Sequence, residues 1–169
     1  MSSCLIRPAT LRDARAIAEL HSSAEVALLE NPPPSLTPPE LEKRQRFWRE
    51  AVEFAEPQLQ LACDGDKVVG MVGFDRSRDK GSAQTMGEIW SICVSPAFWG
   101  QGVGLALWDA AREGLLEEGC TNVSIWLGLS NDRALRFHEL AGFKREPATA
   151  RTAAAAGVRI QEIRLTRNL

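Results

Sequence analysis

The chain has 169 residues, a length typical of a single domain, which we place at 1–169. It is 44% hydrophobic and 25% charged, which excludes wholesale disorder. Its net charge of -2 provides no global basic field, so we expect no nucleic-acid partner and no membrane partner. The four cysteines are widely spaced and only two histidines accompany them, so we predict no metal site and no disulfide framework. The first residues lack an apolar leader segment, which favours a cytoplasmic location.

The first third of the chain predicts one strand and two helices. Residues 4–7 form a short apolar run that a proline ends. Residues 10–13 have the spacing of a capping box, so a helix should begin there and run to about His21 or beyond. Residues 37–40 repeat that signal with proline at the first helical position, and Pro57 ends the second helix.

The middle of the chain changes to the alternation of strands. Residues 59–63 and 67–74 flank Asp64-Gly65-Asp66 and predict a hairpin. Residues 86–94 predict the next strand, which leads through a glycine-rich loop into an amphipathic helix that ends near Gly119.

The last third predicts a strand, a short helix and one or two more strands. Residues 123–127 form the strand, and Asn131 or Asp132 caps the helix that Gly142 follows.

Residues 151–157 contain four consecutive alanines and predict a connection. Residues 158–165 predict a final strand with a bulge near Gln161. The order of elements predicts a mixed α/β (α+β) sheet without strict strand–helix alternation.

Residues 88–105 are the segment most closely tied to chemistry, because a strand enters a loop with glycines at 100, 102 and 104 just before a helix. Glycines let the backbone approach a ligand closely, and a helix N-terminus offers unpaired N–H groups with a partial positive charge. This combination suits a pyrophosphate. The segment lacks the Gly-Lys-Ser/Thr of a Walker loop and the glycine spacing of a Rossmann fingerprint. A plain tight turn is the structural alternative.

Residues 94–105 resemble motif A of the GNAT N-acyltransferase superfamily, written Q/R-x-x-G-x-G/A, which here reads Trp99-Gly100-Gln101-Gly102-Val103-Gly104. Residues 131–143 resemble the second half of the family pattern, N-x-x-A-x-x-F-Y-x-x-x-G-F. Because two linked motifs occur in the right order across residues 86–143, the resemblance is far more specific than either motif alone.

The resemblance implies a mostly antiparallel central sheet with helices on both faces, and acetyl transfer from acetyl-CoA to a primary amine without a metal. In relatives the acyl-CoA lies between two splayed strands, its pantetheine amides bind strand backbone, and its pyrophosphate binds loop amides. The implied cofactor-binding residues are Ile92, Cys93, Val94, Gly100, Gln101, Gly102, Val103, Gly104, Leu105 and Asn131. Asn131 is equally suited to a purely structural role as an N-cap.

Two positions depart from the family pattern. Trp99 stands where Gln or Arg is usual, which removes one phosphate-side contact. His138 stands where relatives have a tyrosine that protonates the leaving thiolate, and the chain contains no tyrosine at all.

The catalytic candidates are Glu88 and His138. The resemblance gives Glu88 the role of base, often through water, and its structural alternative is a solvated carboxylate at a strand edge. His138 lies seven residues after Asn131, on the same helical face, where a protonated imidazole would supply the leaving thiolate with its proton. Its structural alternative is a ring that fills the space of the missing tyrosine.

The acceptor that the resemblance implies is a primary amine, which could belong to a small molecule, a peptide N-terminus or a lysine. The resemblance places its specificity in residues 24–36 and 146–157, where Glu25 and Glu30 would attract a cation. Two rival functions are an acyl-CoA-binding module of the same fold without turnover and a nucleotide-phosphate binder unrelated to CoA. A monomer and a homodimer both stay open.

Overall fold

The computed structural model describes residues 3–26, 38–155 and 158–169. Its elements in chain order are β1 (Leu5–Pro8), α1 (Ala14–Val26), α2 (Pro38–Phe54), β2 (Gln58–Asp64), β3 (Lys67–Arg76), β4 (Met86–Val94), α3 (Val103–Glu117), β5 (Asn122–Gly128), α4 (Asp132–Leu140), β6 (Lys144–Ala155) and β7 (Val158–Asn168). The predicted order of strands and helices is confirmed. In the described parts of the chain, no helix combines the length and the apolar character needed to cross a membrane.

The strands form one seven-stranded sheet in the order β1-β2-β3-β4-β5-β7-β6. Every neighbouring pair is antiparallel except β4 and β5, so the prediction of a mixed, mostly antiparallel sheet is confirmed. The parallel pairing runs only from Met86 opposite Asn122 to Ile89 opposite Ile125. Beyond that point the two strands no longer pair. We call the resulting opening the β4–β5 gap.

Helices cover both faces of the sheet, as the resemblance implies. On one face, Leu107 of α3 and Leu135 of α4 share a buried cluster with Ile89. On the other face, Ile17 of α1 and Trp48 of α2 pack in a separate cluster. Burying each of these side chains contributes roughly 1.5–3 kcal/mol, so the helices are held mainly by this packing.

The predicted capping box before the first helix is confirmed. The Asp13 carboxylate accepts a hydrogen bond of 2.7 Å from the Thr10 backbone N–H. Arg7 donates to both oxygens of the same carboxylate, which ties the start of α1 to β1. Thr37, the predicted cap of α2, lies outside the described residues.

The prediction for the C-terminal segment was wrong in two respects. Residues 151–155 belong to β6 rather than to a connection, because they pair with β7 from Arg151 opposite Glu162 onward. The irregular register lies in β6 between Glu146 and Arg151, whereas Gln161 pairs regularly. Alanine has a low strand propensity, and pairing with a neighbouring strand overrides it here.

Candidate active site

The β4–β5 gap exposes one backbone edge of β4. The Ser95 N–H donates to Val69 O at 2.7 Å, so Ser95 faces β3. Backbone groups alternate direction along an antiparallel strand, which turns Cys93 toward Met71 of β3 and Ile92 and Val94 toward the gap. The N–H and C=O of Cys93 therefore face away from the gap, which corrects the expectation that its backbone contacts the cofactor there.

The loop before α3 presents open backbone. Gly100 and Gly102 have φ values of 71° and 81°, in the left-handed region that favours glycine. A Cβ added at either position would meet no atom within 4 Å. Gly102 is the N-cap of α3 and no side chain caps this helix. The first N–H groups of α3, at Val103 and Gly104, therefore have no intrahelical acceptor and are available to an anion.

Packing and a hydrogen bond within the loop account for the other residues at the start of α3. A Cβ at Gly104 would lie 3.3 Å from the Phe137 ring, so this glycine lets α4 pack against the first turn of α3. The Gln101 side chain donates to a loop carbonyl at 3.1 Å. Val103 is buried in the core, and the side chain of Leu105 is half exposed. At these positions the backbone is the part available to a phosphate.

Trp99, the first departure from the family motif, connects the loop to α4. Its indole N–H donates to Val94 O at 2.8 Å, at the gap-facing edge of β4. The guanidinium carbon of Arg133 lies 3.6 Å from the centre of the indole ring. We call this contact the Trp99–Arg133 stack.

Asn131 acts as the N-cap of α4. Its side-chain oxygen accepts a hydrogen bond of 3.3 Å from the Ala134 N–H. The capping role is therefore confirmed, and contact with the cofactor arm stays a prediction.

Glu88 is buried and paired. Its side chain is 2% exposed, so the alternative of a solvated strand-edge carboxylate was wrong. Oε1 accepts from the Arg78 backbone N–H at 2.9 Å, and Oε2 accepts from Nε of the same residue at 3.1 Å and from its Nη2. The Arg78 guanidinium also lies 3.9 Å over the Trp90 ring. The sequence did not indicate this pair, because the polar stretch that contains Arg78 has no periodicity.

A bulge in β4 separates Glu88 from the gap-facing residues. Ile89 pairs with Phe74 and Ser91 pairs with Gly73, so Trp90 has no partner on β3. Bulges change which face a strand presents, and they are frequent next to active sites. The Trp90 indole N–H is buried and has no acceptor among the described residues.

A cluster of polar and charged side chains lies on the sheet face formed by β5, β7 and β6. Asp79 accepts a hydrogen bond of 3.0 Å from the Trp126 indole N–H and a second one of 3.0 Å from Arg164. Arg164 also pairs with Glu146, which holds the pKa of this guanidinium above its ordinary value. Arg151 lies 3.5 Å over the Trp126 ring. Part of the predicted acceptor region 146–157 thus contacts this face.

The other acceptor region is mostly not described. Glu30 lies outside the described residues, and so does the side chain of Glu25. Among the described residues, no three His, Cys, Asp or Glu side chains could together hold a metal ion.

His138 is buried between aromatic rings. It is 2% exposed, and its ring centre lies 5.0 Å from that of Phe137 and 5.2 Å from that of Phe143. Nδ1 lies 2.7 Å from Ala134 O, which can only accept, so Nδ1 carries the proton. Burial lowers the pKa of His138 below 6.5, and the ring is therefore neutral at pH 7. A neutral ring whose N–H is already bound to a carbonyl is poorly suited to protonate the leaving thiolate.

Sequence comparisons find curated relatives that match about half of this chain. Mycothiol acetyltransferase of Kocuria rhizophila is 30% identical over 82 residues, which are 48% of this chain and 27% of that protein. The same enzyme of Stackebrandtia nassauensis is 32% identical over 98 residues, which are 57% of this chain and 32% of that protein. The chain thus spans less than a third of the length of these curated relatives.

Solved structures show the same fold across the whole chain. A ribosomal-protein-alanine N-acetyltransferase from Brucella melitensis has a TM-score of 0.76 at 20% identity, covering 98% of this chain and 99% of that one. A phosphinothricin acetyltransferase from Sinorhizobium meliloti, solved in complex with AcCoA, has a TM-score of 0.73 at 21% identity, covering 100% and 89%. The model of the Acetyltransferase (GNAT) family matches residues 22–143, the segment that carries the gap, the glycine loop and α4. Since this match extends over most of the chain, the protein is a member of the GNAT acetyltransferase family.

Proposed function

We propose that this protein transfers an acetyl group from acetyl-CoA to a primary amine of a small molecule or a peptide. The observation that carries the proposal is the β4–β5 gap, which opens beside the uncapped, glycine-rich start of α3. The Sinorhizobium meliloti neighbour was solved with AcCoA, which supports the same ligand here.

The four cysteines are all free thiols, which fits a reducing compartment and supports a cytoplasmic location.

The residues present fit the two polar parts of the acyl-CoA substrate. Left-handed Gly100 and Gly102 leave the loop amides open to a pyrophosphate, and no Cβ stands in front of them. The gap-facing backbone groups of Ile92 and Val94 suit the amides of an extended pantetheine arm. Val94 O already accepts from the Trp99 indole, which leaves the Val94 N–H as the group available to the substrate.

The amine must lose a proton before it attacks the thioester, because an alkylammonium group resembles lysine, with a pKa near 10.4. We propose Glu88 as the base that takes this proton. Its Oε2 is bound by the Arg78 guanidinium, which must first turn away, while Oε1 is held by the Arg78 backbone N–H. The Arg78 side chain is 51% exposed, which leaves it room to do so.

The other proton transfer concerns the leaving thiolate. The predicted donor His138 is neutral at pH 7, and its N–H is bound to Ala134 O. The CoA thiol resembles free cysteine, with a pKa near 8.5, so its thiolate is a stable leaving group in water. We therefore propose that the thiolate departs without a proton from His138, which fills the space between Phe137 and Phe143.

The second candidate function is an acyl-CoA-binding module without turnover. The engaged Glu88 carboxylate, the buried neutral His138 and the absence of tyrosine favour it. Thiol release from acetyl-CoA with a panel of primary amines separates the two candidates. Turnover with any amine supports the enzyme, and binding of acetyl-CoA without thiol release across the panel supports the module.

A thermal-shift comparison of acetyl-CoA with ATP and NAD tests the choice of ligand. A ligand at 100 times its Kd stabilises the folded state by about 2.7 kcal/mol. We expect this shift with acetyl-CoA alone. An equal shift with ATP would instead identify a general nucleotide-phosphate binder.

A further inference from the structure

We propose that Arg133 binds a phosphate group of the CoA substrate, as a replacement for the side chain that the family motif has at Trp99. This inference rests on the proposed function. It assigns a cofactor-binding role to a residue of α4 for which the two sequence motifs predicted none.

The Trp99–Arg133 stack holds this guanidinium in a defined position. The indole is itself anchored, because its N–H donates to Val94 O at 2.8 Å. Arg133 lies on the ring face at 3.6 Å. Stacking on an aromatic face leaves the N–H donors at the edge of the guanidinium available to an oxyanion.

The charge of Arg133 is not neutralised by a neighbour. Two other arginines stack as closely on tryptophan rings, Arg78 on Trp90 at 3.9 Å and Arg151 on Trp126 at 3.5 Å. Each of these two also donates to a buried or half-buried glutamate. Arg133 has no hydrogen bond and no ion pair with any residue in the described part of the chain, and the indole is its contact. Its full charge and donors are therefore available to a ligand.

The surroundings of Arg133 belong to the acyl-CoA site. Phe137 follows Arg133 by one helical turn and packs against Gly104 in the first turn of α3. Trp99 directly precedes Gly100, the first open glycine of the loop. Through Trp99 and Phe137, Arg133 is thus linked to both ends of the glycine loop, and we expect its guanidinium and the loop amides to act on the same ligand. A guanidinium binds a phosphate through two parallel N–H···O bonds, which adds affinity and fixes orientation.

The experiment compares the affinities of three ligands by titration calorimetry: CoA, dephospho-CoA and pantetheine. CoA carries a pyrophosphate and a ribose 3′-phosphate, dephospho-CoA lacks the 3′-phosphate, and pantetheine lacks every phosphate. We expect Arg133→Ala to weaken CoA binding about 10-fold or more, the effect of losing a charged hydrogen bond. Its affinity for pantetheine should equal that of the wild type. Arg136→Ala removes an exposed arginine on the same helix without a tryptophan stack, and should leave all three affinities unchanged.

Dephospho-CoA identifies which phosphate is bound. A loss that persists with dephospho-CoA assigns Arg133 to the pyrophosphate, and a loss that vanishes assigns it to the 3′-phosphate. Trp99→Leu removes the stack but keeps the charge of Arg133, so it should reduce CoA affinity by less than Arg133→Ala does.

Two results would overturn the inference. One is Arg133→Ala binding CoA as tightly as the wild type does, and the other is an equal loss of affinity for CoA and pantetheine. Circular dichroism melting of each variant checks that the fold is intact. If the wild type itself binds neither CoA nor acetyl-CoA, the proposed function fails together with the role of Arg133, a result distinct from failure of the variant alone.

Discussion

Gly102 and Gly119 lie at opposite ends of α3 in nearly the same backbone conformation, with φ values of 81° and 82°. A Cβ would meet no atom within 4 Å at either position. Replacing each glycine by alanine therefore introduces the same left-handed strain, about 1–2 kcal/mol. For a domain of this size, that corresponds to a fall in melting temperature of roughly 2–8 °C in both variants.

Only Gly102 lies in the loop proposed to bind phosphate. The added methyl group would occupy open space in this loop, and we expect it to hinder the approach of a charged oxygen to the first N–H groups of α3. Losing one hydrogen bond to a charged group costs roughly 1.5–3 kcal/mol, so we expect at least a ~10-fold loss of acetyl-CoA affinity. Gly119→Ala should bind acetyl-CoA as the wild type does.

Calorimetric titration with acetyl-CoA and thermal melting of both variants make up the assay. If Gly102→Ala binds acetyl-CoA normally while both melting temperatures fall alike, the assignment of this loop is wrong. If Gly119→Ala loses affinity to the same extent, general destabilisation explains the effect and the loop has no special role.

Three further predictions concern single side chains. Glu88→Gln should lower turnover more than it lowers acetyl-CoA affinity, and turnover should partly recover at high pH. Arg78→Ala leaves the carboxylate in place and should keep turnover. Equal losses of kcat in the two variants would contradict a role of Glu88 as base. His138→Phe should keep kcat within about threefold, since the ring is neutral. Burial lowers the pKa of His138 below 6.5 in the folded state, so the wild type should lose stability as the pH falls below 6.5. Melting temperatures at pH 7.5 and 5.5 should show this loss in the wild type and not in the Phe variant. The pKa of Asp13 is lowered from 3.8 to about 2 by Arg7, so Asp13→Asn should remove about 2 kcal/mol at pH 7; in the wild type this contribution is lost as the pH falls from about 4 toward 2, as urea unfolding would measure.

Local signals were sufficient for most of the fold. Alternation, capping boxes and prolines predicted the order of elements, and the glycine spacing located the loop that opens at the start of α3. These features depend on residues that are neighbours in sequence. The capping roles of Asp13 and Asn131 were predictable for the same reason.

Contacts between distant segments were not predictable in this way. The bond from Arg78 to Glu88 depends on how a polar loop returns over β4, and the Trp99–Arg133 stack depends on how α4 packs beside α3. The strand character of 151–155 came from pairing with β7 and not from its alanines. A tyrosine-like position at His138 was evident from the motif, whereas its burial between two phenylalanines required the packed core.

The alternation of backbone direction in β4 has a consequence for exchange of amide protons with deuterated water. The Cys93 N–H faces β3 opposite Met71, while the adjacent Ile92 and Val94 N–H groups face the β4–β5 gap. Neighbouring amides of one strand should therefore exchange at different rates, because only those facing β3 require the sheet itself to open. A ligand that enters the gap and accepts hydrogen bonds from Ile92 and Val94 would remove this difference, so the strand would exchange as a uniformly protected unit only when the gap is filled.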